Sequence, residues 1–262
     1  MGSAVLKKRL IGVVTVKAGW AVQSIGYKRY LPLGKPEYLA ENLDRWGADE
    51  ILVMSIDRSV RRLGPDLELL KRLGKVGIRT PLIVAGGISS KEEAIEVVHS
   101  GADRICIDAL LRDSPEEVHA IAECLGSQAV IASLPVAVVA GGVKWFDYRS
   151  KALREFAVEV RVLLENGVIS EVLLVDWRHE GMFAGFDQGL IEHFPIPNIP
   201  LIAFGGVSHH EQIKQLLTKE AVSAVAVGNF LSYQEHAIQN FKTQLQESPL
   251  RRAVFEGIDA GV

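Results

Sequence analysis

Two patterns alternate along the chain. Short apolar runs, charged at most near their ends, suit strands buried on both faces of a parallel sheet, and each is followed by a stretch with apolar residues at helical spacing. The runs are KRLIGVVTV (8–16), EILVMSID (50–57), PLIVAGG (81–87), RICID (104–108), SQAVIASLP (127–135), EVLLVDW (171–177), LIAFGG (201–206) and SAVAVGN (223–229). Helical spacing is carried by PEYLAENLDRWG (36–47), PDLELLKRLGKVG (65–77), SKEEAIEVVHSG (90–101) and SPEEVHAIAECLG (114–126) in the first part of the chain. In the second part it is carried by SKALREFAVEVRVLLENG (150–167), FDQGLIEHF (186–194), HHEQIKQLLTKE (209–220) and YQEHAIQNFKTQL (233–245). Eight strand–helix units in about 250 residues predict a (β/α)8 barrel rather than a doubly wound sheet. The stretch PLIVAGGIS (81–89) returns as PLIAFGGVS (200–208). The barrel is therefore expected to be a single domain over 1–262, made of half-barrels at about 6–125 and 126–245 with a tail at about 246–262. Residues 17–35, KAGWAVQSIGYKRYLPLGK, show no helical period and are expected to form a long, lid-like loop.

Composition narrows the functional classes. With 262 residues, 48% hydrophobic, 23% charged and a net charge of -3, the chain offers no basic face for nucleic acid. No apolar run approaches the roughly 20 residues that span a bilayer, and the start, MGSAVLKKRL, lacks the apolar core of a secretion signal. The two cysteines, Cys106 and Cys124, stand outside any Cys/His cluster and read as buried, reduced thiols of a cytoplasmic protein. Adjacent His209 and His210 would splay about 100° apart on a helix, so neither a metal nor a cofactor is expected.

In a (β/α)8 barrel the chemistry lies where strands end. Thr15, Lys17, Ser55, Asp57, Asp108, Pro135, Asp176, Glu180, Gly228 and Asn229 occupy such positions, with the pairs Gly86–Gly87 and Gly205–Gly206. A Gly-Gly pair lets phosphate approach backbone N–H groups, and Ser89 and Ser208 are placed to cap helices whose N-termini favour an anion. A single pair is equally a plain strand-to-helix turn. Two pairs in the same frame point to two phosphate sites. Asp176, Arg178 and Glu180 could form an acid/base set or a solvated loop, and Arg58, Arg61 and Arg62 an anion clamp or a solvated loop.

The combination of KRLIGVVTVKAG, WGADEILVMSID, AGGI, GADRICID, LGSQAVIAS, EVLLVDW and AFGGV resembles the cyclase (synthase) subunit of imidazole glycerol phosphate synthase over about residues 6–245. That resemblance implies a lyase-type (β/α)8 barrel of histidine biosynthesis. It implies a glutaminase subunit at the N-terminal face of the barrel, ammonia passing through the barrel, and a bis-phosphorylated substrate held by Gly86, Gly87, Asp108, Gly205, Gly206, Gly228 and Asn229. It also implies aspartates acting as general acid and base at the ends of the first and fifth strands, where Thr15 and Pro135 stand here. Neither residue can transfer a proton as a carboxylate does. Asp57, Asp176 and Glu180 are the carboxylates left to take over that work. Asp108 stands where the resemblance implies a phosphate-binding asparagine, and its charge would repel a phosphate.

The family's ring of alternating charges at the ammonia entrance maps to Arg9, Glu50, Arg104 and Glu171. All four keep their charge sign. The resulting expectation is a divergent paralogue that pairs with a glutaminase and conducts ammonia to another acceptor, such as a sugar of surface-polysaccharide biosynthesis. A genuine synthase subunit with relocated acid/base residues and a non-catalytic phosphate-ligand scaffold are the alternatives. Asp49, Asp103, Lys7 and Lys8 would belong to the glutaminase docking face.

Overall fold

The computed structural model describes residues 7–232 and 236–251. Its strands are β1 (Arg9–Lys17), β2 (Trp20–Ile25), β3 (Arg29–Gly34), β4 (Glu50–Ser55), β5 (Leu82–Ala85) and β6 (Arg104–Ile107). They continue as β7 (Val130–Val139), β8 (Gly142–Asp147), β9 (Ala152–Arg154), β10 (Glu171–Asp176), β11 (Leu201–Phe204) and β12 (Val222–Val227). Eight of these pair in parallel in the order β1, β4, β5, β6, β7, β10, β11, β12, and β12 pairs back onto β1. The sheet is thus a closed (β/α)8 barrel, the architecture that the alternating pattern predicts.

Because side chains alternate across a strand, each parallel strand feeds two cores. Ile11, Val13, Leu52, Met54, Ile83, Leu173, Val175, Ile202 and Phe204 fill the barrel interior. Leu10, Val14, Ile51, Val53, Val172 and Leu174 pack outward against the helices. Burying each such side chain contributes roughly 1.5–3 kcal/mol, which explains why the runs are apolar without alternation. Helix 36–45 approaches β1 so closely that a Cβ on Gly12 would lie 2.8 Å from Leu43.

The two antiparallel additions differ from the expectation. Residues 17–35 are not a loop: β2 pairs with the end of β1, and β3 pairs with β2. Likewise 150–167 is not one long helix. Strand β8 folds back on β7, β9 pairs with β8, and the helix covers only Val158–Glu165. Both hairpins start from the same device. Ala18–Gly19 and Ala140–Gly141 have positive φ at both residues, 50° and 78° in each case, between the pairs Lys17↔Trp20 and Val139↔Gly142. That is the mirror-image two-residue turn that matches strand twist. Each half-barrel therefore carries one ribbon after its first strand.

Smaller differences concern caps and surfaces. The helix caps are Ser90, which accepts from the Glu93 amide, and His209; Ser89 and Ser208 lie one residue earlier. Cys106 is buried as expected, but Cys124 is exposed. Lys8 bridges to Leu250, so part of the expected tail is tied beside the start of β1. The predicted helix 233–245 is seen as Ala237–Gln244, with 233–235 outside the described residues, as are 1–6 and 252–262.

Candidate functional site

The N-terminal end of the barrel is sealed by charge. Arg9 lies 3.0 Å from Glu50 and also pairs with Glu171, while Arg104 lies 2.6 Å from Glu171 and 3.5 Å from Glu50. These side chains start β1, β4, β6 and β10 and point inward, so the two arginines and two glutamates close a ring of alternating sign. Further bonds orient its members: Ser223 donates to Glu171 at 2.6 Å, and Arg104 donates to Ser170 at 2.9 Å and to the Gln128 carbonyl at 3.0 Å. Burial pushes the Glu171 carboxyl up, but Arg9, Arg104 and Ser223 outweigh it and hold it below the usual value. For Glu50 burial prevails over the arginines and the pKa is raised.

Of the residues expected to surround this ring, Asp49 is turned inward. It accepts from the Leu10 amide at 2.8 Å and pairs with Lys242 at 2.7 Å, with both side chains buried. Asp103 accepts from the Leu82 amide at 2.8 Å, and Lys8 donates to the Lys219 carbonyl. These side chains hold the floor of the barrel together.

At the C-terminal end the strand ends surround two cavities. The larger, about 240 Å³, is lined by Gly86, Cys106, Asp108, Ser133 and Pro135, roofed by Tyr27 and Tyr30 from the first hairpin, and walled by Phe146, Tyr148 and Trp177. Phe146 stacks on Trp177 with centroids 3.9 Å apart. The smaller, about 30 Å³, brings together Thr15, Glu180, Gly205, Gly206, Ser208, Gly228 and Asn229. The strand-end candidates therefore divide between the two cavities, with Gly86, Asp108 and Pro135 at one and Thr15, Glu180 and the second glycine turn at the other.

The first glycine turn is internally occupied. The Gly87 amide donates to Ser59 Oγ at 2.9 Å, Ser59 donates to Asp108 at 3.0 Å, and Tyr148 donates to the other Asp108 oxygen at 2.7 Å. Burial, then Asp108, push the Tyr148 phenol up, so it stays protonated and donating. Glu93 accepts from the Ser89 amide at 2.7 Å, placing a second carboxylate at the helix start. Gly86 is required by packing alone: with φ +102°, a Cβ there would lie 2.1 Å from the Ser55 carbonyl. The second turn differs. Its helix start is capped by the neutral Gln212, which accepts from the Ser208 amide at 2.8 Å.

The three carboxylates singled out for acid/base work sit in different surroundings. Glu180 is buried, accepts from the Tyr27 amide at 3.0 Å and Ser24 Oγ at 3.2 Å, and burial holds its pKa above the usual value. Asp176 is also buried, but lines neither cavity. It accepts from the amides of Arg178, His179 and Asp187 and from His179 Nδ1, which spends it on shaping its own loop. Asp57 accepts from the Ala18 amide at 3.2 Å and faces Arg61 at 3.5 Å, supporting the first hairpin turn. Asn229 exchanges two bonds with the Ser24 backbone. Arg58 donates to the carbonyls of Leu63, Gly64 and Pro65, so it braces its loop. Among the described residues no group of three or more His, Cys, Asp or Glu side chains is placed to hold a metal ion, and no helix is long and apolar enough to cross a membrane. Phe146, Tyr148 and Ser59 were missed as site residues, and the X-Gly turn before β8 was the signal that could have revealed the first two.

The closed parallel barrel has cavities at its C-terminal mouth, where (β/α)8 barrels carry their sites, and a four-charge seal at its floor. The chain belongs to the family described as histidine biosynthesis protein, whose profile matches residues 9–237. It is 32% identical over 248 residues to the imidazole glycerol phosphate synthase subunit HisF of Thermococcus gammatolerans, covering 92% of this chain and 96% of that one. It is 29% identical over 248 residues to the subunit of the same name from a Thermotoga species, with the same coverage. The corresponding Exiguobacterium subunit is 27% identical over 239 residues, covering 90% of this chain and 92% of that one.

Proposed function

We propose that this chain is the synthase-type subunit of a two-protein complex. It receives ammonia from a glutaminase at the N-terminal face and passes it through the barrel to an acceptor other than the precursor of imidazole glycerol phosphate, such as a sugar of surface-polysaccharide biosynthesis. The observation that carries this reading is the intact ring of Arg9, Glu50, Arg104 and Glu171 beneath a mouth in which Thr15 and Pro135 replace the acid/base positions. A buried ring of paired charges costs more to desolvate than apolar packing, so its presence fits a use for polar groups on the axis. Above it, the small side chains of Ala85, Cys106, Ala224 and Ala226 stand among the larger Ile11, Leu52, Ile83 and Leu173 of the barrel interior. When the pairs part, their N–H groups and carboxylate oxygens offer hydrogen bonds to a molecule the size of ammonia.

One observation favours a second reading, a synthase with relocated acid/base chemistry. Glu180 lines the same cavity as Thr15, and burial raises its pKa above the usual carboxylate value, the direction that favours a general acid. It would supply a single carboxylate where the family's reaction uses two.

The test is nitrogen transfer in a strain whose only copy carries Glu171→Gln. The proposal expects loss of label transfer from amide-labelled glutamine to the final product, with transfer from labelled ammonium salts largely kept. Equal loss from both sources would mean that the ring only supports the fold.

A further inference from the structure

The larger mouth cavity has a chemistry that phosphate does not fit. Among its lining residues are the Asp108 carboxylate and five aromatic side chains, Tyr27, Tyr30, Phe146, Tyr148 and Trp177. Each Asp108 oxygen accepts from one neutral donor, Ser59 or Tyr148, and a carboxylate oxygen can accept a second. Among the described residues, Asp108 has no Lys, Arg or His within 4.0 Å. The carboxylate therefore lines a cavity rich in aromatic side chains and holds only neutral hydrogen-bond donors.

An anion would meet this charge, a Gly87 amide already given to Ser59, and Glu93 at the neighbouring helix start. A cation would meet the reverse. Aromatic faces attract positive charge through their quadrupole, most strongly where water is excluded, and a carboxylate adds charge-assisted hydrogen bonds to N–H donors. The same hairpin already holds one cation in this manner: Lys17 Nζ lies 3.3 Å from the centre of the Tyr30 ring. The stack of Phe146 on Trp177 and the Tyr148–Asp108 bond fix the wall in advance, so little ordering remains to be done on binding.

We propose that this cavity is a binding site for a small organic cation, an alkylguanidinium or alkylammonium group whose N–H donors meet Asp108 and whose carbon stem lies between Tyr27, Tyr30 and Trp177. A volume of about 240 Å³ accommodates such a group whole. The site does not depend on ammonia passing through the barrel, and it would persist in a protein without a glutaminase partner.

The experiment is calorimetric titration of the full-length protein with ethylguanidinium and, separately, with inorganic phosphate. Ethylguanidinium is expected to bind saturably and to shift the indole NMR signal of Trp177, with affinity about tenfold or more lower in Asp108→Asn. Trp177→Leu, chosen because it leaves the carboxylate in place, is expected to lower affinity as well. Phosphate is expected not to displace the cation. Absence of saturable ethylguanidinium binding, displacement by phosphate, or unchanged affinity in either variant would overturn the assignment. The glutamine-labelling result would stand or fall separately.

Discussion

Tyr148 donates its phenol to Asp108 across 2.7 Å, linking the hairpin of one half-barrel to the strand end of the other. Through Ser59 the same carboxylate reaches the Gly87 amide, so the first glycine turn is supplied with negative charge by the protein itself. At the second turn the group that accepts from the Ser208 amide is the neutral Gln212, where the first turn has the Glu93 carboxylate on the Ser89 amide. The two copies of one motif therefore differ in what they can bind.

Crystals grown in sulfate or phosphate should accordingly show an anion at Gly205–Gly206 and none at Gly86–Gly87. Density at both turns would mean that Asp108 and Glu93 move aside at little cost.

Substitution of glycines should separate packing from flexibility. Gly86→Ala puts a Cβ 2.1 Å from a carbonyl oxygen at φ +102° and should lower stability by about 2 kcal/mol or more. Gly74→Ala, within helix 67–76 and with no atom within 4 Å of the new Cβ, should instead raise it by roughly 0.5–1 kcal/mol. Urea unfolding midpoints distinguish the two, and an equal effect of both would contradict the packing account of the turn.

Much of this was legible in the sequence. Uninterrupted apolar runs mark strands buried on both faces, and the repeated PLI…GG frame gives the half-barrels. The hairpins were not legible in the same way, because Ala18–Gly19 and Ala140–Gly141 are short turns between runs that alternate only weakly, and the charged segment around Lys151 and Arg154 reads as helical. The Asp108–Ser59–Gly87 chain and the inward turn of Asp49 toward Lys242 depend on residues 28, 49 and 193 positions apart. No local pattern encodes such pairings.

Glu180 should impose a pH dependence on stability. Burial raises its folded pKa above the ordinary 4.5 despite bonds from Tyr27, Ser24 and Gly26. The folded state then holds the proton more tightly than the unfolded chain, so the stabilisation is complete below 4.5 and is lost as pH rises through the raised value. Glu180→Gln should flatten that loss, and urea midpoints measured across this window would show it. An unchanged slope would mean that the carboxylate is solvated.

Arg9→Ala would leave Glu50 and Glu171 facing one another with Arg104 as the remaining cation of the ring. Breaking a buried pair costs roughly 3–5 kcal/mol, and a loss of that order is expected in chemical denaturation. A loss below about 1 kcal/mol would be that of a solvent-screened surface pair, contrary to the sealed ring.

The most direct measurement is turnover of the purified chain on the family's bis-phosphorylated substrate with saturating ammonium salt. General acid/base groups are worth roughly 10² to 10⁴ in rate each. With Thr15 and Pro135 at those positions the account predicts imidazole glycerol phosphate formation at least about 100-fold below a typical enzymatic rate, on the order of 10 per second. Formation at that typical rate would contradict it, and would assign the chemistry to Glu180 and its neighbours.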